Sequence, residues 1–586
     1  MLDIKTEIAK LIEGPIAAVD GVDVDEDAIL AALEIPTDTA NGDYAFPCFR
    51  LAKGMRTAPQ QIAESFAGKI GSALPVGGMI ERVQNAGAYI NFYLNKDVFC
   101  RAVVSDVLAK SEAYGSSTIG EGKTVLVEYS SPNIAKPFHI GHIRSTVIGG
   151  SLANIMEFLG YRVKRLNHLG DYGTQFGKLI VAYRRFGSRE DVEAAPIETL
   201  LKYYTEFHEK AKADPSLDDE ARAAFAALER GDAEELALWE WFREESLKEF
   251  TDVYDMLGIR FDSYAGESFY SDKMQRVLDE LDAKGLLLES DGAQIVDMDE
   301  WEMGKALITK SDGSTLYITR DIAAAIYRKE HYDFYKNIYV VASQQDLHFR
   351  QWIKIVELMG YSWASDCIHV PFGLVHLESG KMSTREGNVV FLADVLGEAV
   401  EKTEEIIREK GVLTEDERET AEMIGIGAVI FQELHNNRRK DYVFSWDKVL
   451  SFEGETGPYV QYSYARASSI LSKAGEADVC AAAELYTSSN TGGGSGYFTG
   501  ENAFGLAKLI AGFPETVAAA AEKFEPSIVT RHAVDIAQAF SAYYHDEQIL
   551  VDDRSERIAK LGLVISARHA VKNALTLLGV RTPEKM

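Results

Sequence analysis

Residues 124–160 read TVLVEYSSPNIAKPFHIGHIRSTVIGGSLANIMEFLG, and the fold of the surrounding chain follows from how this stretch divides. Thr124 to Tyr129 is β-branched and apolar, which predicts a buried strand, while Pro132 and Pro137 stop the strand from continuing and a helix from starting early. From about Gly141 the residues Ile143, Val147, Ile148, Leu152, Ile155, Met156 and Leu159 recur at three- and four-residue spacing. That spacing predicts an amphipathic helix, with Gly160 as its C-terminal cap. Strand, polar loop and helix start together make an anion site, because the first helical turn leaves backbone N–H groups unpaired. His139 and His142 emerge on one side of that helix start, with Gly141 between them allowing a ligand close to the backbone. Two imidazoles so placed can donate hydrogen bonds to a phosphate as its charge builds. Taken alone, the HxGH spacing also fits two polar loop residues. No third ligand lies at a spacing suited to a metal.

Working outward, β-rich runs at Tyr161–Leu166, Ile338–Ala342 and Ile368–Val375 alternate with helical stretches up to about Val390, which predicts an α/β sheet. A charged, helical segment from about Glu190 to Leu257 splits it. Ala306–Thr309, the turn Ser311-Asp312-Gly313 and Thr315–Thr319 are expected to form a hairpin, and Asp321 to cap the helix IAAAIYR. Upstream, residues 1 to about 115 mix helices with a period-two segment, Ile80–Leu94, that predicts a strand pair turning at Asn85–Gly87. The acidic run Asp20–Asp27 reads as a solvated turn. Beyond Val400 helical periodicities run to the C-terminus, with TGGGSG at Thr491–Gly496 as a loop between helices. There is no internal repeat.

A chain of 586 residues, 46% hydrophobic, supports about three to four domains with real cores. Lys plus Arg number 61 against 91 Asp plus Glu, a net charge of −30 that repels polyanions, so an RNA partner has to find local basic patches. The densest is Asn436-Asn437-Arg438-Arg439-Lys440. Cys48, Cys100, Cys367 and Cys480 form no CxxC pair and are expected as buried thiols in a reducing compartment. The N-terminus lacks the apolar core of a signal peptide, and no run approaches about 18 apolar residues, so the expectation is a cytoplasmic protein without a membrane partner.

HIGH at His139–His142, followed by a helix and by KMST at Lys381–Thr384, resembles the paired HIGH and KMSKS signatures of class I aminoacyl-tRNA synthetases. The longer strings PNIAKPFHIGHIRST, SDGSTLYITRDIAAAIYR, VASQQDLHFRQ, HLESGKMSTREGN and FEGETGPYVQYSYAR resemble the arginyl-tRNA synthetase family, and the resemblance runs to Met586. It implies a Rossmann-like α/β catalytic domain over 120–395 with a connecting insertion at about 185–300. It also implies an N-terminal α+β module over 1–115 for the tRNA elbow and an all-α anticodon-binding domain over 396–586. The implied reaction joins arginine to ATP, giving arginyl-adenylate and pyrophosphate, and then moves arginine to the 3′ end of tRNA(Arg). Mg2+ would accompany ATP, zinc would play no part, and the enzyme would be a monomer.

The same resemblance implies roles for individual residues. His139, Gly141, His142, Lys381, Met382 and Ser383 match the ATP-binding signatures. Thr384 stands where the class carries a second lysine, with Arg385 after it, and Lys136 is the cation expected to compensate. An arginine pocket has to satisfy five N–H donors in a planar fork, which asks for carboxylates. Asp321, Glu128 and Tyr317 match that task, and Asn133 and Gln345 match the α-amino and carboxylate ends. Asp171, Tyr172 and Gln175 in HLGDYGTQ fit either substrate contacts or turn residues that support the fold. Tyr459, Arg466 and Met586 match anticodon contacts, and Tyr89 and Asn91 match elbow contacts, although Ala86 stands where a polar residue is expected. Two other readings share part of this pattern: a small-molecule nucleotidylyltransferase of the same superfamily, and a non-catalytic RNA-binding paralogue.

Overall fold

The computed structural model of the protein describes residues 4–17, 24–311, 316–377, 390–411, 416–487 and 496–586. Internal contacts divide the chain into two units. The first combines Met1–Tyr114 with Ser463–Pro514 and Asp535–Asn573; the second combines Gly115–Tyr462 with Glu515–Val534 and Ala574–Met586. The helices beyond residue 460 are therefore shared between the units.

In the first unit, β1 (Tyr44–Pro47), β2 (Ile80–Ala86) and β3 (Tyr89–Leu94) form an antiparallel sheet in the order β1-β3-β2. The turn between β2 and β3 is Gly87-Ala88, slightly later than the sequence suggested, because Gly87 supplies the positive φ of +57°. Helix Pro59–Ala73 lays Ile62, Phe66 and Ile70 into the core under this sheet, as its three- and four-residue spacing requires. Cys48 and Cys100 are buried here, but Cys480 is exposed on helix Glu476–Thr487, against expectation.

The second unit contains β4 (Thr124–Glu128), β5 (Arg162–Leu166), β6 (Leu288–Ser290), β7 (Ala293–Asp297), β8 (Lys305–Thr309), β9 (Lys336–Ala342), β10 (Cys367–Phe372), β11 (Val375–Leu377) and β12 (Tyr442–Phe444). Four of these make a parallel sheet in the order β10-β9-β4-β5. From β4 the chain moves outward to β5 and then returns to the other side with β9 and β10. The order therefore reverses between β4 and β9, and ligands of such sheets bind beyond the strand C-termini at that point. Glu128 ends β4, and Ser343–Gln345 follow β9, so both fall at the crevice.

Helix Ile143–Phe158 differs from the expected amphipathic helix. Every residue from Ile143 to Ala153 is buried, because the sheet covers one side and helix Glu417–His435 packs on another. The approach to the sheet is close: a Cβ on Gly149 would lie 2.2 Å from the Cβ of Tyr129. Gly160, at φ +87°, turns the chain out of the helix as predicted.

Two local expectations are corrected. Ala306–Thr309 does not form a hairpin with the residues that follow. It lies in β8, which pairs antiparallel with β7 in a β6-β7-β8 meander. Tyr317–Thr319 instead opens helix Tyr317–Tyr332, whose Ile318, Ile322, Ala325 and Ile326 are buried at helical spacing. Asp321 consequently lies inside that helix and caps nothing. The stretch beyond Val400, expected to be wholly helical, includes β12, which runs parallel to β11. One described helix, Glu501–Lys523, is long and apolar enough to cross a membrane by length and composition, and half of that stretch is buried in the protein.

The tight packing at Gly149 is directly testable. Gly149→Ala is expected to destabilise the protein by roughly 1–3 kcal/mol, read as a lowered urea midpoint, because the new methyl has nowhere to go but into Tyr129.

Candidate active site

The loop between β4 and helix Ile143–Phe158 is held in a strained conformation. Ser130, Ser131 and Ala135 have φ of +66°, +48° and +58°, a region that costs a non-glycine residue of order 1 kcal/mol each. Surrounding contacts hold the loop there. The Ile134 N–H donates to the Gly170 carbonyl at 3.1 Å, the Gly170 N–H donates to the Pro132 carbonyl at 3.0 Å, and Ala135 N donates to Ser246 Oγ at 3.2 Å. Asn133 sits so close to Gly170 that a Cβ there would lie 2.0 Å from its Oδ1. The result is that Asn133 and Lys136 are both presented at the surface of the loop.

His139 and His142 cap the short helical turn Ile140–His142 reciprocally. The Gly141 N–H donates to His139 Nδ1 at 3.1 Å, and the His139 N–H donates to His142 Nδ1 at 3.2 Å. Acceptance from the Gly141 N–H assigns the proton of the neutral His139 ring to Nε2, while His142 Nδ1 also lies 3.2 Å from the His139 carbonyl oxygen. The rings lie 4.0 Å apart between centroids, and Phe138 stacks on His142 at 5.1 Å. Burial pushes the titration of both down, that of His142 to about 3. Both are therefore neutral N–H donors at physiological pH, not cations.

A cavity of about 840 Å³ opens from these groups. Asn133, Lys136, His139, His142 and Gln175 line one side, and Leu201, Tyr204, His208 and Lys212 of helix Pro196–Ala213 line the other. The contribution from the insertion was missed in the sequence, although Tyr204, His208 and Lys212 at four-residue spacing mark one helix face. Lys381, Met382 and Ser383 fall outside the described residues. The chain on either side of them is nevertheless well fixed. Before them, β11 is paired with β12; after them, the Ile140 N–H donates to the Val390 carbonyl at 3.2 Å, and His139 and Phe391 form an antiparallel bridge.

Beyond β4 and β9, charged groups gather around half-buried His168, whose titration desolvation lowers while Glu128, Asp321 and Asp171 oppose the shift. Glu128 is not free: its carboxylate forms a buried ion pair with Arg328 at 2.5 Å. Asp321 accepts from His348 Nε2 at 2.5 Å and keeps partial exposure. Glu267, which no sequence motif marked, pairs with Arg320 at 3.0 Å; burial pushes its carboxyl up to about 7 against that pairing, and Asp321 and Asp171 push the same way. Tyr317 opens its helix and is 67% exposed, and Gln345 is also exposed. Asp171 serves the fold: its carboxylate accepts from the Ser268 N–H at 2.9 Å and pairs with Arg243 at 3.2 Å. Tyr172 packs under the Arg320 guanidinium at 4.9 Å.

Comparison with known proteins decides what this arrangement belongs to. The family model "tRNA synthetases class I (R), catalytic domain" matches residues 103–446, "DALR anticodon binding domain" matches 460–586, and "Arginyl tRNA synthetase N terminal domain" matches 3–94. The arginine–tRNA ligases of Halothermothrix orenii and Clostridioides difficile are 55% and 52% identical over the full length of both chains. The chain belongs to the arginyl-tRNA synthetase family.

It is an arginine–tRNA ligase, using ATP to activate arginine before transfer to tRNA. The solved Thermus thermophilus arginyl-tRNA synthetase superposes with a TM-score of 0.78 at 25% identity, covering 100% of each chain.

The residues expected to contact tRNA are placed unevenly by this fold. Tyr89 is half-buried and meets Phe49 edge to face at 5.7 Å, with Phe49 itself exposed. Asn91 is only 2% exposed, because β3 is the central strand and neighbours close over it, so it does not stand at the surface as expected. Arg466 donates to Ser541 Oγ at 3.0 Å and lies over the Tyr544 ring, while Tyr459 and Met586 are half-buried. In the basic cluster, Arg438 turns into the fold and donates to the carbonyls of Pro371 and Phe524, leaving Arg439 and Lys440 exposed.

The neutrality of His142 has a consequence for stability. Its folded pKa lies below the value of about 6.5 expected unfolded, so the unfolded chain takes the proton first and stability falls as pH drops from about 6.5 towards 3. His142→Asn is expected to show a smaller drop in urea midpoint than the wild type between about pH 7 and pH 5.

Proposed function

We propose that the Ser130–His142 loop and the groups around His168 divide the charges of adenylate formation between them. Support comes chiefly from the shared cavity that holds Lys136, His139 and His142 beside the fastened flanks of the Lys381 segment. In this reading the arginine carboxylate attacks the α-phosphorus of ATP, which arrives with Mg2+, and pyrophosphate leaves. Neutral His139 and His142 donate their Nε2–H groups to the phosphate oxygens, and the Gly141 backbone leaves room for the nucleotide. Lys136 and Lys381 neutralise the leaving pyrophosphate, with Met382 and Ser383 completing the second signature, so the charge missing at Thr384 comes from the other side of the site. No covalent enzyme intermediate is required; positioning and electrostatics carry the step.

Asp321, with Tyr317, takes the guanidinium of the substrate. Glu128, already neutralised by Arg328, contributes shape and a second acceptor more than charge, while Asn133 and Gln345 hold the α-amino and carboxylate ends. Glu267 adds a third carboxylate to the pocket wall. A ribose hydroxyl at the tRNA 3′ end then attacks the adenylate carbonyl and AMP leaves. Tyr459, Arg466 and Met586 meet the anticodon, where rings and guanidinium groups suit splayed bases. Tyr89, with Asn91 behind it, meets the elbow. The protein acts as a cytoplasmic monomer.

Arginine-dependent pyrophosphate exchange, run with and without tRNA, tests this assignment. Asp321→Asn is expected to raise the arginine KM by roughly tenfold or more with ATP KM little changed, since a charged hydrogen bond is lost. Lys136→Ala is expected to lower the exchange rate by roughly 10–100-fold at saturating arginine. An unchanged rate in the second variant would remove the compensating role.

A further inference from the structure

Tyr254 stands in the last turn of helix Ala233–Leu257, at the end of the charged helical segment that splits the sheet, and has no part in the reaction described above. It is buried, and its hydroxyl is the start of a chain of polar groups. That hydroxyl accepts from Asn167 Nδ2 at 3.0 Å and lies 2.9 Å from Ser130 Oγ. Ser130 Oγ lies 2.9 Å from Thr146 Oγ1, which in turn lies 2.8 Å from the carbonyl oxygen of His142.

The far end of the chain fixes the direction of every hydrogen in it. A carbonyl only accepts and a threonine hydroxyl has one hydrogen, so Thr146 donates to His142. Ser130 then donates to Thr146, and Tyr254 donates to Ser130. Burial pushes the titration of Tyr254 up, so this donor keeps its proton. Bonds that all run one way polarise one another, which makes the chain stiffer than its separate links.

A second route joins the same two residues. The Phe138 ring stacks on His142 at 5.1 Å and meets the Tyr254 ring edge to face at 5.4 Å. The hydroxyl of Tyr254 thus reaches the backbone of His142, and its ring reaches the imidazole through Phe138. Ser130 is also held from its backbone: its N–H donates to Ser145 Oγ at 2.9 Å, and Ser145 Oγ donates to the Val340 carbonyl at 2.7 Å. All of these groups belong to the second unit. Apolar side chains of matching shape would fill the same space with little loss of stability, so the use of four polar ones lies in selecting a single arrangement of the loop.

We propose that Tyr254 is a positioning residue for adenylate formation. Through Ser130 and Thr146 it sets the backbone of the His139–His142 turn, and through Phe138 it sets the His142 ring, so that the helical insertion holds a phosphate donor in place. The proposal rests on the reading of His142 as a donor to the ATP phosphates given above.

The test uses the full-length protein with saturating tRNA in pyrophosphate exchange, with the folded fraction of each variant fixed by its urea midpoint. Tyr254→Phe keeps the ring and removes the hydroxyl; it is expected to lower kcat roughly three- to tenfold while the arginine KM stays within about twofold. Thr146→Val cuts the last link and is expected to give the same signature, whereas Thr146→Ser keeps a hydroxyl there and is expected to recover most of the loss. The double variant Tyr254→Phe/Thr146→Val is expected to lose little more than either single variant, since both break one chain. In a His142→Asn background Tyr254→Phe is likewise expected to have little further effect. A Tyr254→Phe protein with a lowered urea midpoint and wild-type kcat would show a purely structural role and overturn the proposal. So would losses that multiply in the double variant, an arginine KM that rises in step, or an undiminished Tyr254→Phe effect in a His142→Asn protein that has itself lost activity. If His142→Asn leaves kcat and the ATP KM unchanged, the donor reading of His142 fails and the proposal falls with it. Should Tyr254→Phe fail to fold, the contrast between Thr146→Val and Thr146→Ser decides by the same criteria.

Discussion

The helix Ile143–Phe158 has no free face over its first eleven residues, Ile143–Ala153, and that constraint governs the active-site end of the second unit. A helix covered on all sides cannot shift or rotate without opening a cavity or forcing a clash, and interiors tolerate neither. Gly149 lets it sit against Tyr129, and helix Glu417–His435 covers another side. Its N-terminal end is consequently fixed in space, and so are the two histidines that cap the turn before it. Groups held in this way need no reorganisation to act as hydrogen-bond donors.

Electrostatics in the second unit are handled by local pairing. The chain is strongly acidic overall, yet its buried cations are used internally: Arg328 on Glu128, Arg320 on Glu267 and Arg144 on Glu433. Each of these guanidinium groups thus occupies a carboxylate of the protein itself. Asp321 differs, since its partner is the imidazole of His348. An imidazole is a weaker and more easily neutralised partner than a guanidinium, so Asp321 is held differently from Glu128 and Glu267.

The strand, loop and helix of residues 124–160 were legible in sequence because each carries its own periodicity and its own breaks. The family was legible because its signature strings stand at fixed spacing in the sequence. The failures have a common physical origin in nonlocal contacts. Tyr317–Thr319 reads as the end of a hairpin strand, but the longer helical period that buries Ile318 and Ile322 overrides it. Asn91 and Arg438 read as surface groups, and only the strand order of one sheet and the carbonyls of Pro371 and Phe524 show them to be committed inside. Glu267 carried no motif, and Glu128 gave no sign of Arg328, two hundred residues away. The wall supplied by helix Pro196–Ala213 was hidden for the same reason.

The left-handed residues Ser130, Ser131 and Ala135 bear on how many shapes the loop after β4 can take. Glycine would occupy such positions without strain, but it would also leave the loop many other shapes. Side chains with a Cβ narrow those alternatives, so a loop forced into this form by its neighbours has few competing forms to sample. The conformational entropy that a glycine-rich loop would retain is, in this protein, already lost on folding. A change in the distant supports of the loop, such as Gly170 or Ser246, then reaches the His139–His142 turn as a change in order.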